Sequence, residues 1–289
     1  MAKNKKNNTK QIILIALVVL LALALVFSRS RRLARRANIQ VPDREIQQNN
    51  FEKDSIVEKE TPEIKIMSDK NKLLGKVSTA GNDELVLVPV KYANREDIYM
   101  NKEAYDAFIK MYYDALSDDV SLKIMSGFRN FNHQKSIWEK KWNGEQMLQG
   151  NIRATDIADY EKRALEILKF SAMPGTSRHH WGTDIDLNSL NNSYFESGYG
   201  KKVYDWLLEN APKYGFCQPY TAKGDNRDRG YEEEKWHWSY LPVANQYYRG
   251  FEKVISYDDI SGFDGAETAE KLKVIENFVL SINDSCIGK

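Results

Sequence analysis

The sequence predicts an α+β fold in which a small antiparallel sheet is flanked by helices and follows an N-terminal membrane helix. The segments that alternate as strands are short, and the amphipathic segments between them come at irregular intervals. A parallel doubly wound sheet would require strands and helices in regular alternation. A polar stretch separates the apolar N-terminal run from this mixed region, which therefore forms a domain of its own.

The membrane helix is predicted from the unbroken apolar run between residues 12 and 27. As a helix this run is about 24 Å long, slightly short of a bilayer core of about 30 Å, so an uncleaved anchor and a signal peptide both fit. No small-x-small cleavage site follows, and a basic segment comes instead, which favours the anchor. The basic residues flank both ends of the run and do not determine its orientation. They are Lys3, Lys5, Lys6, Lys10, Arg29, Arg31, Arg32, Arg35 and Arg36.

Composition divides the chain into four parts. They are an anchor with basic flanks (1–36), a polar tether (37–75), the main domain (76–250) and a C-terminal helical extension packed on that domain (251–289). With 289 residues, 42% of them hydrophobic, and a net charge of +1, the chain can bury one core and has no bulk charge that calls for nucleic acid. Cys217 and Cys286 either pair in an oxidising compartment or remain free thiols.

Apolar periodicity predicts the elements of the domain. Strands are expected at 84–88 and 121–125, and again at the two segments described next. Helices are expected at 101–116, 133–141, 157–170, 201–213 and 267–280. The buried face of the first helix consists of Ala104, Phe108, Met111, Tyr112 and Ala115.

Residues 177–186 read Ser-Arg-His-His-Trp-Gly-Thr-Asp-Ile-Asp. His179 and Asp186 would lie roughly 23 Å apart on a straight strand and about 10 Å apart on a helix, so they share one ion only if the chain turns between them. Gly182 supplies the backbone freedom for that turn. The residues that follow alternate as a strand with Asp186 on one side.

Residues 234–238 read Glu-Lys-Trp-His-Trp. On a strand, His237 faces away from both tryptophans, which suits an imidazole in a cleft with indoles packed behind it. Glu234 is out of phase, so it reaches the same cleft only if the strand begins at a kink near Lys235.

Two imidazoles, a carboxylate and a spare glutamate are the components of a catalytic zinc site. Such sites take three His or Asp/Glu ligands and leave a position for water, while a further carboxylate moves the proton. The residues alone leave His180 as an alternative to its neighbour His179. They also leave Asp184 as a fourth ligand, as a residue behind the ligands or as a solvated residue.

The two segments resemble the Ser-x-His-x-x-Gly-x-x-x-Asp and Glu-x-Trp-His signatures of the VanY-type D-alanyl-D-alanine carboxypeptidases. These are zinc peptidases of the superfamily that contains lysostaphin and the Hedgehog signalling domain. Residues 126–129 (Ser-Gly-Phe-Arg) and Gln134 are similar to the family's Ser-Gly-Tyr-Arg segment and downstream glutamine. The likeness covers about residues 80–245. The departures are Phe128 for tyrosine, Asp184 for a small residue, and Lys235 where proline or tryptophan is common.

The resemblance implies roles for eight residues. The ligands of one zinc ion would be His179, Asp186 and His237. Catalysis would depend on Glu234 as general base and then acid, and on Arg129 to stabilise the oxyanion. Substrate contacts are expected from Ser177, Gln134 and Asp184.

The resemblance further implies a D,D-carboxypeptidase that removes the terminal D-alanine from peptidoglycan stem peptides. An L,D-carboxypeptidase, a D,D-dipeptidase or an endopeptidase would use the same ligands, because selectivity depends on pocket shape. A non-catalytic zinc-stabilised wall-binding module is an alternative from another class, and Glu234 argues against it. The likeness to cell-wall peptidases places the catalytic domain outside the cytoplasm, on a single-pass anchor in the cell membrane.

Overall fold

Two small antiparallel sheets form the β part of the fold. The computed structural model describes residues 66–287. One sheet pairs Leu85–Leu87 (β1) with Tyr99–Asn101 (β2). The other contains Ile124–Ser126 (β3), Asp184–Leu187 (β4), Phe216–Cys217 (β5) and His237–Tyr240 (β6), in the spatial order β3-β4-β6-β5.

Seven α-helices lie in the described part of the chain, so the predicted α+β class is confirmed. They are Lys70–Leu73 (α1), Lys102–Ser117 (α2), Phe131–Trp142 (α3), Tyr160–Leu168 (α4), Gly198–Asn210 (α5), Leu241–Val254 (α6) and Thr268–Lys271 (α7). The start of α3 is fixed by Asn130, whose side chain accepts the His133 N–H, as expected of an N-cap. The four central helices lie within three residues of their predicted bounds.

The core places α6 against the turn that precedes β4. Ala244, Tyr247 and Phe251 follow the spacing of one helix face and are buried. The Trp181 indole stacks on Tyr247 with ring centroids 5.8 Å apart, and its N–H donates to the Leu73 carbonyl. These contacts fix the turn that carries His179.

The predicted tether extends too far towards the C-terminus. Of residues 37–75, those from 66 onward are described, and they pack on the domain. The Met67 N–H donates to the Gln246 carbonyl, and Leu73 and Leu74 are buried. The polar composition of the segment concealed this apolar pair, so residues 66–75, which the prediction assigned to the tether, belong to the domain.

The predicted membrane anchor (1–36) lies outside the described residues. Between residues 66 and 287, no helix has both the length and the apolar character that a membrane span requires. Of the two units into which the chain divides, the one containing residues 66–112 and 120–287 holds every residue of the site described below. Of the described residues, the other unit contains 113–119, where α2 ends.

The C-terminal extension packs on the domain, but the single helix expected at 267–280 is broken. Lys273 adopts a positive φ of 49°, which ends the helical path after α7, and Ile275–Val279 form a π-helical turn. Phe278 packs edge-on against Tyr231, with ring centroids 5.2 Å apart. Gly265 is required at its position because a Cβ there would lie 2.5 Å from the Trp142 ring.

A disulfide between Cys217 and Cys286 ties the extension to β5, so the paired alternative holds. The bond joins residues 69 positions apart, and Cys286 is fully buried. A crosslink over a loop of this length restricts the unfolded chain and thereby stabilises the folded one.

We expect loss of this disulfide to lower the free energy of unfolding by about 2–5 kcal/mol. Urea unfolding of the purified protein with and without a reducing agent measures the difference. The double variant Cys217→Ser/Cys286→Ser is the control, because its stability should not respond to the reducing agent. Equal unfolding midpoints for the oxidised and reduced wild type would contradict the expected contribution.

Candidate active site

The pairing of β4 with β6 brings together two residues from distant parts of the chain. Asp186 is directly opposite His237 in the antiparallel register, and Asp184 is opposite Ser239. Because side chains alternate along a strand, both pairs lie on the same face of the sheet. Two of the predicted metal ligands are therefore neighbours.

The turn predicted between His179 and Asp186 is present. Arg178–Trp181 form a 3-10 helix that ends at Gly182, whose φ is +70°. A side chain at Gly182 would lie 3.0 Å from the backbone nitrogen of Asn101 and would be strained by the positive φ, so glycine is strongly favoured here. The turn brings His179 Nε2 to 3.4 Å from Asp186 Oδ2.

His179, Asp186 and His237 form a buried cluster in which one ligand atom of each lies within 4.8 Å of the others. The two imidazole rings meet edge to face at 4.8 Å between centroids. His179 Nδ1–H donates to the Gly127 carbonyl, and His237 Nε2–H donates to Asp184 Oδ1, each over 2.9 Å. These bonds leave His179 Nε2 and His237 Nδ1 to face Asp186.

The unpaired atoms of this cluster fit a metal ion. Asp186 Oδ1 is buried and makes no hydrogen bond among the described residues. His237 Nδ1 faces two carboxylate oxygens, Asp186 Oδ1 at 3.4 Å and Glu234 Oε2 at 3.2 Å. Two imidazole nitrogens and a carboxylate oxygen are the donor set of a three-ligand catalytic metal site.

The electrostatic environment favours a cation at the same place. Burial lowers the pKa of His237, but the neighbouring carboxylates of Asp184, Asp186 and Glu234 outweigh burial and raise the pKa well above its ordinary value. Burial raises the pKa of Asp186, but the two histidines outweigh burial and hold the carboxyl ionised. The carboxylates around the His237 ring therefore favour a positive charge at this place.

Glu234 lies beside the cluster because the chain turns before β6. The His237 N–H donates to the Glu234 carbonyl, so the kink expected near Lys235 is present as a turn at residues 235–236. The side chain is buried, and burial raises its pKa. A carboxylate with a raised pKa is suited to accept and then return a proton.

Arg129 is held on the other side of the cluster, in the loop between β3 and α3. Its guanidinium donates to Asp186 Oδ2 over 3.0 Å, to Ser126 Oγ over 3.0 Å and to Gln134 Oε1 over 3.2 Å. Its side chain remains 18% exposed, which leaves part of the cation accessible from the cleft.

A cleft of about 790 Å³ opens over these groups. Of the eight predicted site residues, six line it: Arg129, Ser177, His179, Asp186, Glu234 and His237. Trp236 also lines it, because the turn before β6 removes this residue from the strand alternation.

The structure places Gln134 and Asp184, which were expected to contact the substrate, away from the cleft surface. Neither residue lines the cleft, and both are buried. The Gln134 side chain accepts from Arg129 and donates to the Ala172 carbonyl, so both ends of the amide are used within the protein. Gln134 therefore positions Arg129.

Asp184 lies behind His237, in a buried network that the sequence did not reveal. Its Oδ1 accepts from Arg178 Nε and His237 Nε2, each over 2.9 Å. Its Oδ2 accepts from the hydroxyls of Thr183 and Ser239, over 2.7 and 2.9 Å. All acceptor positions face protein donors, so Asp184 fixes the orientation of the His237 ring and is not a fourth ligand.

His180 is excluded as the alternative to His179. Its Nδ1–H donates to the Arg129 carbonyl, and its Nε2 accepts the Gly175 N–H over 3.0 Å. Burial lowers the pKa of His180 to about 3, so the ring stays neutral. Both nitrogens are used by the backbone, and His180 fixes the loop that carries Arg129.

The chain is similar to several solved structures. It has 26% identity to the LdcB LD-carboxypeptidase, with 61% of this chain and 81% of that chain covered and a TM-score of 0.43. A zinc complex of a mutant of the D,D-pentapeptidase VanY shows 20% identity over 61% of this chain and 94% of that chain, with a TM-score of 0.41.

Sequence comparison finds relatives and a family. A D-alanyl-D-alanine carboxypeptidase of Enterococcus faecalis (strain ATCC 700802 / V583) is 28% identical over 163 residues, 54% of this chain and 55% of that protein. Bacillus subtilis (strain 168) YodJ, whose name includes the word carboxypeptidase, is 29% identical over 163 residues, 55% of this chain and 53% of that protein. The chain thus spans about half the length of these curated relatives.

The VanY family, described as D-alanyl-D-alanine carboxypeptidase, matches residues 97–243, which are half of the chain and include all eight predicted site residues. The chain belongs to the VanY family.

Proposed function

We propose that the protein is a zinc-dependent D,D-carboxypeptidase that removes the terminal D-alanine from peptidoglycan stem peptides. The observation that carries the proposal is the buried cluster of His179, Asp186 and His237, with Glu234 Oε2 3.2 Å from His237 Nδ1. A purely structural metal needs no proton-transfer group beside it. Membership of the VanY family and the name of the Enterococcus faecalis relative support the choice of substrate.

One zinc ion would be held by His179 Nε2, His237 Nδ1 and Asp186. When bound, zinc supplies a Lewis acid that polarises the scissile carbonyl and makes water nucleophilic near neutral pH. The protein fixes the donors before the ion arrives, because Gly127 and Asp184 hold the far nitrogens of the two rings. Little reorganisation is then needed on binding.

Glu234 performs the proton transfers. Its carboxylate takes a proton from the attacking water and returns it to the departing amine. Burial raises its pKa, so the protonated form that donates to the amine is more accessible than for an exposed glutamate.

Arg129 stabilises the negative charge that develops on the scissile carbonyl oxygen. Three contacts, to Ser126, Gln134 and Asp186, fix the guanidinium before substrate binds. A preorganised cation of this kind costs no reorientation during the reaction. Ser177, which lines the same cleft, would contact the substrate.

We also propose that the catalytic domain works outside the cytoplasm, anchored in the cell membrane by the N-terminal segment. The apolar run at residues 12–27 and its basic flanks support the anchor. The disulfide between Cys217 and Cys286 supports an oxidising compartment.

The proposed function predicts a single product from a synthetic pentapeptide stem. We expect the zinc-loaded protein to release one terminal D-alanine and leave the tetrapeptide intact, as measured by liquid chromatography and mass spectrometry. Removal of a dipeptide, cleavage of the tetrapeptide or cleavage of a cross-linked dimer alone would indicate a sister peptidase. Absence of any turnover with zinc bound would indicate a binding module.

Replacing Glu234 separates proton transfer from metal binding. We expect Glu234→Gln to retain zinc but to lose turnover by roughly a hundredfold or more, because a general base is removed. Atomic absorption measures the zinc and product release measures the turnover. Glu232→Gln is the matched control, since this neighbour is paired with Lys223 outside the cleft. Turnover of Glu234→Gln at the wild-type rate would refute the role of Glu234.

A further inference from the structure

Lys141 is a lysine of the cleft wall that the mechanism leaves unused. It lies on the last turn of α3 and is half-buried. Its ammonium donates to the hydroxyl of Ser171, and both residues line the cleft. No carboxylate pairs with it among residues 66–287. The ammonium therefore lies in the cleft with a neutral partner.

Three other positive charges of the cleft have acidic partners. Lys169 is paired with Glu166 at 2.7 Å. Arg129 is paired with Asp186 at 3.0 Å, and Arg178 with Asp184 at 2.9 Å. Arg95 also lines the cleft but is exposed to solvent, whereas Lys141 is half-buried. Because Lys141 has lost more of its hydration, an anionic partner would stabilise it more than it would stabilise Arg95.

Lys141 belongs to the same part of the cleft as the catalytic groups. It is two helical turns from Gln134, so the two side chains leave the same face of α3. Gln134 donates to the Ala172 carbonyl while Lys141 donates to Ser171, the adjacent residue. The Gln134 amide also holds Arg129. The ammonium and the amide that positions Arg129 are thus held by two adjacent residues of one segment.

The local electrostatics agree with this placement. Burial lowers the pKa of Lys141, the Arg129 charge lowers it further, and the Glu234 charge raises it. Lys141 therefore lies near enough to both catalytic groups to interact with them. An arriving anion would relieve the net cost of burying the ammonium.

We propose that the Lys141 ammonium, with the Ser171 hydroxyl, binds the free terminal carboxylate of the peptide substrate. This inference rests on the proposed function and deepens it. The terminal carboxylate of a substrate lies one residue, about 3.8 Å, beyond the scissile carbonyl, so its anchor belongs in the same cleft as Arg129 and Glu234. A cation at that place makes the enzyme select chain ends over internal bonds, and Lys141 is a specificity-determining residue.

The test compares a stem pentapeptide that has a free C-terminal carboxylate with the same peptide as its C-terminal amide. Both are given to the full-length, zinc-loaded wild type and to Lys141→Met. For the free acid, we expect Lys141→Met to raise KM by roughly tenfold to a hundredfold with little change in kcat, as loss of a charge-assisted hydrogen bond predicts. For the amide, the KM values of Lys141→Met and the wild type should differ by no more than about twofold, because the amide has no terminal carboxylate for the ammonium to bind. Lys140→Met is the matched control, since Lys140 is exposed on the same turn and does not line the cleft.

A binding measurement keeps this inference separate from the proposed function. Calorimetry with Glu234→Gln, with and without Lys141→Met, measures the affinity for the free acid and the amide in the absence of turnover. If the wild type cleaves neither peptide but Lys141→Met abolishes the preference for the acid, carboxylate recognition stands and the peptidase function fails. The inference is overturned if Lys141→Met folds with wild-type zinc content and still binds the free acid more tightly than the amide. It is also overturned if Lys141→Met lowers the affinity for both peptides equally.

Discussion

The register between β4 and β6 is the constraint on which the site depends. It sets Asp186 opposite His237 and Asp184 opposite Ser239, all on one face of the sheet. A slip of one residue would turn Asp186 into the opposite face and bring Ile185 into the cluster. The hydrogen bond from the His237 ring to Asp184 crosses the same two strands and opposes such a slip, because the slip would break a buried, charge-assisted hydrogen bond.

The buried network around Asp184 explains how a strand can present a histidine with a fixed ring. Arg178 supplies the counter-charge, and its guanidinium also stacks on Trp181 at 4.5 Å. A buried ion pair carries a desolvation cost that is offset only when further hydrogen bonds complete it, and here Thr183 and Ser239 provide them. The same carboxylate therefore stabilises the turn before β4 and orients a metal ligand in β6. Arg129 and Gln134 form a similar arrangement on the other side of the metal-ligand cluster, where the buried Gln134 amide holds the Arg129 guanidinium.

The residue types of the site could be predicted from the sequence, because they occur in short motifs. The separation of His179 from Asp186 required a turn, and the phase of Glu234 required a kink; both follow from strand geometry. The partners of Asp184 were not readable, because Arg178 and Ser239 meet it only after the turn and the strand pairing have formed. The partners of Gln134, Arg129 and the Ala172 carbonyl, were not predictable for the same reason. The break at Lys273 and the packing of residues 66–75 on the domain depend on tertiary contacts that outweigh local propensity and composition.

Anomalous diffraction at the zinc edge from crystals of the zinc-loaded protein tests the central claim most directly. The account predicts one strong peak within about 2.0–2.2 Å of His179 Nε2, His237 Nδ1 and an Asp186 oxygen, with Asp184 outside the coordination sphere. A peak bound by His180 or Asp184, or the absence of a peak between β4 and β6, would contradict it.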